Sequence, residues 1–398
     1  MSRYLDAEDA AGQLGVSVST LYAYVSRGLV RSEAVAGTRR RRYAAADIKR
    51  LRERQRARRD PGRAARKALH FGGLPVLESA LTNIEAGRLS YRGEDATVWS
   101  GTATLEDTAA LLWRAPLPEE APPRDLDWSH VLRWRKQLPL AESFHLYLAL
   151  AAAADDAGFD LRPQGVRRTG ARILRGLAAV AAGRRPGAGS VASALVSGWK
   201  VRARGAKGLI ERALVLSADH ELNVSAFTAR CVASAGSSPY AAVTGALAAL
   251  QGYKHGGHSA RVATLFDEAE ETRRPRDAVA APLREGRAPS GFGHPLYPRG
   301  DPRAAALMKA LRAARPKSRA LDLATRLARA GRAVLDDEPN IDFALVALAR
   351  TFDLPRDAPF ALFALGRTVG WIAHAIEQYE TDQLIRPRAR YTGPGAGA

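Results

Sequence analysis

The chain has 398 residues, 46% of them hydrophobic, which is enough for two or three domains with a large buried core. Its 60 lysines and arginines exceed its 41 acidic residues, and a formal net charge of +19 suits anionic small molecules or nucleic acid as partners. The single cysteine, Cys231, excludes an internal disulfide and a cysteine-cluster metal site, and its apolar helical surroundings favour a small buried side chain over a reactive thiol.

The sequence carries no sign of a membrane span or a secretion signal. The longest apolar run, Leu146–Ala154, is far shorter than the roughly 18–20 residues that a span needs. Met1 is followed by Ser-Arg-Tyr-Leu-Asp, without an apolar signal segment. We therefore expect a cytoplasmic protein.

The first seventy residues are the most basic part of the chain, with a net charge of +10. Their spacing predicts a helix over residues 6–14 with Asp6 as its N-cap, a break at Gly15, and a second helix over residues 20–27 capped by Ser17 or Ser19. This pattern is typical of a helix-turn-helix. Its second helix is expected to offer these side chains to the major groove: Ser19, Thr20, Tyr22 and Arg27.

Residues 29–42 predict a short hairpin that turns at Gly37 and Thr38, and Asp47 predicts the N-cap of a third helix. The return strand carries Arg39, Arg40, Arg41 and Arg42. The order helix, turn, helix, wing, helix resembles the DNA-binding domain of the MerR and excisionase-like families. The resemblance implies that the wing arginines contact phosphate. A protein-interaction cap with a solvated arginine run is the alternative.

A basic linker, residues 61–70, leads into a longer helical region. Helices are predicted over residues 74–86 and 105–113, followed by a further helical series to about Gly183. Residues 208–235 form a helical pattern interrupted by Ala-Asp-His220-Glu-Leu-Asn. The polar interruption predicts either a hydrogen-bonded core cluster or a site around His220.

Two glycine-containing loops follow. The segment Lys254-His255-Gly256-Gly257 permits close backbone approach, and a helix beginning after it offers N–H groups to a developing oxyanion. The segment Gly291–Arg303 places His294 on a proline-stiffened loop, with Asp301 as the N-cap of a helix. A histidine held close to Arg303 is suited to binding an anion and donating a proton.

Asp342 lies between the apolar Ile341 and Phe343, a setting that raises the proton affinity of a carboxylate and suits a general base. A helix N-cap is the alternative, because Pro339-Asn340 also looks like a helix start. A last helix is predicted from residue 365 to about residue 379.

These segments, taken in order over about residues 71–393, resemble the citrate synthase family, which includes the 2-methylcitrate synthases. The resemblance implies that Asp342 removes the methyl proton of the acyl-CoA, His255 polarises its thioester carbonyl, and His294 protonates or polarises the keto carbonyl. It implies substrate contacts from His220, Arg303, Arg367 and Arg386, the last reaching the partner subunit's site in a homodimer. The CoA-binding loop would contain Gly291, Phe292 and Gly293.

The sequence departs from the family after His255. Where the family usually continues Ala-Asn-Glu, this chain has His258-Ser259-Ala260. The departure changes the surroundings of the catalytic histidine. It leaves open a second reading, a DNA-binding transcription regulator whose former catalytic domain senses a CoA thioester or a keto acid.

The expected fold is mainly all-α: a citrate synthase fold preceded by a winged helix-turn-helix domain over residues 1–60. Its large domain would contain residues 71–250 and 350–398, and its small CoA-binding domain residues 251–349. The implied enzyme is an acyltransferase of the tricarboxylic acid cycle type. It would condense acetyl-CoA or propionyl-CoA with oxaloacetate without a metal or redox cofactor. Acetyl-CoA and propionyl-CoA differ by one methylene, and a pocket discriminates between such ligands by only about 1–3 kcal/mol. The choice between them therefore stays open.

Overall fold

The computed structural model describes residues 4–26, 29–34, 41–49, 51, 77–253, 255–256, 258–387 and 393. It contains two compact units. The first comprises Met1–Glu78 and Arg386–Ala398, and the second comprises Ser79–Ile385.

The first unit has the predicted helix-turn-helix. Its elements are β1 (Tyr4–Leu5), α1 (Ala7–Leu14), α2 (Val18–Ser26), β2 (Ser32–Ala34) and β3 (Arg41–Ala44), followed by helical residues at 45–49. Asp6 caps α1 by accepting from the Asp9 N–H, and Gly15 ends it at a φ of 64°. The strands form an antiparallel sheet in the order β1-β3-β2. Buried Leu14 and Leu21 belong to the core of this unit.

Three details of this unit differ from expectation. Strand β1 was not predicted, because two residues are too few to show an alternating pattern. Helix α2 begins at Val18, earlier than predicted. Asp47 is not an N-cap: it lies inside the helical segment and accepts from Nε of Arg31 at 2.8 Å. The predicted turn at Gly37 and Thr38 and the linker at 61–70 lie outside the described residues.

The second unit opens with a small antiparallel sheet, β4 (Thr82–Glu85), β5 (Arg88–Tyr91) and β6 (Glu94–Asp95). The helix predicted over residues 74–86 is therefore wrong in its described part. Ala86 and Gly87 both have positive φ, 53° and 81°, and turn the chain so that β4 pairs with β5. Backbone pairing between the strands takes precedence over the local helical pattern.

The rest of the unit is helical. The helices are α3 (Ala96–Trp99), α4 (Leu105–Trp113), α5 (Trp128–Arg135), α6 (Leu140–Ala153), α7 (Pro163–Ala182), α8 (Val191–Gly198), α9 (Ala206–Leu216), α10 (Val224–Ser234), α11 (Pro239–Leu250), α12 (His258–Thr272), α13 (Pro275–Arg284), α14 (Pro302–Ala314), α15 (Arg319–Leu335), α16 (Ile341–Thr351) and α17 (Ala358–Thr381). A 3₁₀ turn, Asp156–Phe159, precedes α7. This architecture confirms the mainly all-α prediction, whereas the division into a large and a small domain stays a prediction.

Helix α17 runs through the core and positions the site. It begins at Ala358, earlier than the predicted start at residue 365, with Pro359 in its first turn. It is long and apolar enough to cross a membrane, but 94% of its most apolar window is buried inside the protein. Gly370 brings it against the loop after α9, since a Cβ at that position would lie 2.4 Å from the Ala218 carbonyl oxygen. The same helix carries Arg367, whose charge influences His220, and Trp371, whose Nε1 donates to Oγ of Ser225.

Candidate active site

Three helices that begin near site candidates have side-chain N-caps. Asn223, three residues after His220, caps α10 by accepting from the Ser225 and Ala226 N–H groups. Asp301, next to Arg303, caps α14 as predicted, with Pro302 at its first position. Asn340 caps α16, which contains Asp342, by accepting from the Phe343 N–H. These caps fix where the three helices begin.

His294 is held in a defined tautomer. The backbone N–H of Leu296 donates to its Nδ1 at 3.1 Å, so the proton of the neutral ring lies on Nε2. Burial, together with the Arg303 and Arg367 charges, lowers the pKa of His294 to about 4. The ring is therefore neutral near pH 7 and can donate from Nε2, as the predicted role at a keto carbonyl requires.

His220 lies next to His294, with 5.0 Å between the ring centroids. Its side chain is buried and its Nε2 is 2.9 Å from the hydroxyl of Tyr297. Burial and the nearby Arg303 hold the pKa of His220 well below its usual value. His220 is thus a hydrogen-bonded core residue, as one interpretation predicts. It also contacts the ring of His294, as expected of a site residue. Tyr297 was not among the predicted site residues.

His255 is fixed by two residues that the sequence analysis did not select. Its Nε2 is 2.9 Å from Oγ of Ser225, and Nε1 of Trp371 donates to the same oxygen at 3.0 Å. Burial, with Arg367 and His258, lowers the pKa of His255 to about 4. The sequence offered a signal for Ser225, which lies two residues after Asn223 at the end of the polar segment around His220. It offered none for Trp371, which lies within an apolar helix. Lys254 and Gly257 lie outside the described residues.

Asp342 occupies the first turn of α16 and is only 8% exposed. Since Asn340 makes the capping hydrogen bond, the capping alternative does not apply to Asp342. Its Oδ1 accepts from the Ser259 hydroxyl at 2.6 Å. Burial raises the pKa of Asp342, and Ser259, His258 and Arg303 oppose that effect. The segment His258-Ser259-Ala260 therefore contacts Asp342, the candidate base, directly.

Two buried arginines supply positive charge. The Nε and Nη2 atoms of Arg303 donate to the two carboxylate oxygens of Asp301 at 2.9 and 2.8 Å. Arg367 donates from Nε to the Ser217 carbonyl at 2.9 Å and stacks over the ring of Phe363. Within the described part of the chain, Nη2 of Arg367 is buried without a hydrogen-bond partner. A buried, unsatisfied guanidinium N–H indicates a place for an anionic ligand.

The Gly291–Gly293 loop is tied to the start of α16. The Asn340 N–H donates to the Gly291 carbonyl, and the Gly293 N–H to the Glu338 carbonyl, each at 2.9 Å. Gly291 and Gly293 have φ values of 95° and 66°, which suit glycine. Phe292 packs its ring 5.5 Å from that of Phe343. A CoA contact here stays a prediction, and the burial of Phe292 favours contacts through the backbone.

The remaining candidates belong to the first unit. Arg386 is exposed there, and its predicted role in a partner's site stays a prediction. Ser19 and Tyr22 are exposed on α2, and Thr20 bonds with the Ser17 hydroxyl at 2.9 Å. Arg41 and Arg42 are exposed on β3. The other candidates lie outside the described residues: Arg27, Arg39 and Arg40.

Two family models match the chain. The model for the citrate synthase C-terminal domain matches residues 70–388, and the model for MerR helix-turn-helix regulatory proteins matches residues 6–60. The chain is 28% identical over 360 residues to citrate synthase 2 of Bacillus subtilis, covering 81% of this chain and 95% of that one. It is 33% identical over 365 residues to citrate synthase of Haloferax volcanii, covering 81% and 94%. A shorter match, 33% over 186 residues, links it to 2-methylcitrate synthase 1 of Corynebacterium glutamicum, covering 46% and 49%.

Solved structures give the same result. Citrate synthase from Thermotoga maritima superposes with a TM-score of 0.66 at 29% identity, covering 81% of this chain and 94% of that one. The enzyme from Thermoplasma acidophilum, solved as a ternary complex with carboxymethyl coenzyme A and oxaloacetate, superposes with a TM-score of 0.68 at 26% identity, covering 82% and 96%.

Proposed function

Since the chain belongs to the citrate synthase family, we propose that it condenses an acyl-CoA thioester with oxaloacetate, acting as an acyltransferase. The observation that carries the proposal is the meeting of His255, His294 and Asp342 around two buried arginines. The electrostatic influence of Arg303 reaches His294 and Asp342, and that of Arg367 reaches both catalytic histidines. The match with citrate synthases along most of their length favours the enzyme over the regulator alternative.

In the first step, the Asp342 carboxylate takes a proton from the α-carbon of the thioester, and the electron pair moves to the carbonyl oxygen. His255 is neutral near pH 7 and can stabilise this enolate by donating a hydrogen bond. Donation requires the proton on Nδ1, so that Nε2 accepts from the Ser225 hydroxyl. In the structure that hydroxyl donates to Oδ1 of Asn223 at 2.8 Å, so this step requires the hydroxyl to turn its proton to His255, while Oδ1 keeps the N–H groups of Ser225 and Ala226.

In the second step, the enolate carbon attacks the keto carbon while Nε2–H of His294 donates to the keto oxygen. The unsatisfied Nη2 of Arg367 can bind a carboxylate of the keto acid. Arg303 already pairs with Asp301, so the nitrogen left for substrate is Nη1. Water then hydrolyses the thioester, releasing CoA and either citrate or 2-methylcitrate.

The proposal also includes a homodimer in which Arg386 reaches the partner's site, and a cytoplasmic location. It includes DNA as a partner of the first unit, supported by the MerR match and by the exposed Tyr22, Arg41 and Arg42. Replacing Arg41 and Arg42 with Ala should flatten the slope of log affinity against log salt by up to about 0.9 for each phosphate that is no longer bound. An unchanged slope would remove β3 from the DNA surface.

A thiol-release assay tests the activity, with oxaloacetate and either acetyl-CoA or propionyl-CoA as substrates. Asp342→Ala and His294→Gln should each lower the rate at least about 100-fold, because positioned acid–base groups contribute about 10²–10⁴-fold. His130→Gln is the matched control, since His130 is an exposed helical histidine outside the site. Equal rates in all three variants would refute the assignment.

A further inference from the structure

The segment that departs from the family pattern lies against the base. Ser259 is in the first turn of α12, and its buried hydroxyl is 2.6 Å from Oδ1 of Asp342 in the first turn of α16. Because the hydroxyl donates, it stabilises the ionised carboxylate over the protonated form. One oxygen of Asp342 is thereby committed to Ser259, and only Oδ2 remains for the substrate.

His258 is the neighbour of Ser259 and begins α12. Nη2 of Arg261 lies 3.2 Å from its Nδ1, and since a guanidinium can only donate, Nδ1 accepts. The proton of the neutral ring is therefore on Nε2. The imidazole lies close enough to Asp342 for each group to change the pKa of the other. His258 is only partly buried, so it also has access to solvent.

Other groups around Asp342 shift its pKa in both directions. Arg303 favours the ionised carboxylate, whereas burial and the negative charge of Asp301 oppose it. The Ser259 hydroxyl also favours the ionised form, because it donates to Oδ1.

We propose that Ser259 is a positioning residue for the base: its hydroxyl holds Oδ1 so that Oδ2 faces the thioester. The inference rests on the proposed condensation. In the step it serves, the C–H bond of the thioester α-carbon breaks, the proton passes to Oδ2, and the negative charge moves to the thioester oxygen. The residue that takes the proton is Asp342 throughout.

The test compares Ser259→Ala and Ser259→Thr in the full chain. Loss of a hydrogen bond to a charged group should raise the acid limb of kcat/KM against pH by about one unit in Ser259→Ala. Threonine keeps the hydroxyl and should restore the wild-type limb. Thr264→Ala, an exposed change on the same helix, is the control and should leave it in place.

A second measurement does not depend on activity. The carboxyl carbons of aspartate are labelled with carbon-13, and the Asp342 signal is identified by its loss in Asp342→Asn. Its titration in the substrate-free protein should move to higher pH in Ser259→Ala and return to the wild-type position in Ser259→Thr. An unmoved titration in Ser259→Ala would overturn the proposal. A protein that shows this shift but consumes no thioester would instead refute the proposed function alone.

Discussion

Asp301 contacts Arg303, a proposed substrate-binding residue, and the start of the helix that carries Asp342, the proposed base. The variant Asp301→Asn tests how much this carboxylate contributes. Its Oδ1 accepts from the backbone N–H and Nε of Arg303, and its Oδ2 accepts from Nη2 of Arg303 and from the Ile341 N–H at 3.0 Å. Neither side chain of the pair is more than 3% exposed. One carboxylate thus satisfies four donors and joins α14 to the start of α16, next to Asp342.

Asparagine keeps the shape of the side chain and its ability to cap a helix. It removes the charge and turns an amide NH₂ toward groups that can only donate. The Arg303 guanidinium is then left buried without its counter-ion. Removing one partner of a buried ion pair costs about 3–5 kcal/mol, so the free energy of unfolding should fall by that amount. The KM for the keto acid should rise, because Arg303 loses its fixed orientation.

Urea unfolding followed by circular dichroism, at one fixed protein concentration, gives the comparison. Asp322→Asn is the matched control. Its carboxylate pairs with Arg326 at 3.0 Å between side chains that are 67% and 47% exposed. Such an exposed pair contributes about 0.3–0.5 kcal/mol. If Asp301→Asn lowers the free energy of unfolding by less than about 1 kcal/mol and leaves the KM for the keto acid unchanged, the reasoning is refuted.

Two further predictions concern charge, and a third concerns the dimer. Burial raises the pKa of Glu211 from 4.5 to about 7, so the folded protein binds this proton more tightly than the unfolded chain and loses stability as pH rises from about 4.5 to 7. In thermal unfolding, Glu211→Gln should therefore stabilise the protein at pH 8 but not at pH 4. Since the pKa values of His255 and His294 are about 4, a plot of kcat/KM against pH should show no limb near 6.5. The free energy of unfolding should fall as pH drops from 6.5 toward 4, because the unfolded chain binds these protons more tightly. A limb near 6.5 that His294→Gln abolishes would contradict this prediction. Mixing Arg386→Ala with Asp342→Ala subunits should restore activity in heterodimers with one intact site, and confirmed subunit exchange without recovery would argue against a shared site.

Interactions between near neighbours in the chain could be read from the sequence. Asp6, Asp301 and Asn340 each cap a helix through an N–H two or three residues away, so the residue type and its spacing were sufficient. The identity of His255, His294 and Asp342 came from family motifs of the same short range. The mainly helical architecture followed from apolar periodicity over single helices.

Contacts between distant segments needed the tertiary structure. The Ser259–Asp342 hydrogen bond joins residues 83 apart, and Trp371 reaches Ser225 across 146 residues. The pairing of β4 with β5 replaced a local helical preference. Helix α17 packs against α4, α7, α9, α10, α11, α12 and α16, which come from segments far apart in the chain. A side chain's type determines which bonds it can make, but only the folded chain decides which partner lies within about 3 Å and whether water is excluded there. Burial is the main cause of the lowered pKa of His255 and His294 and of the raised pKa of Asp342, and burial is a property of the whole core.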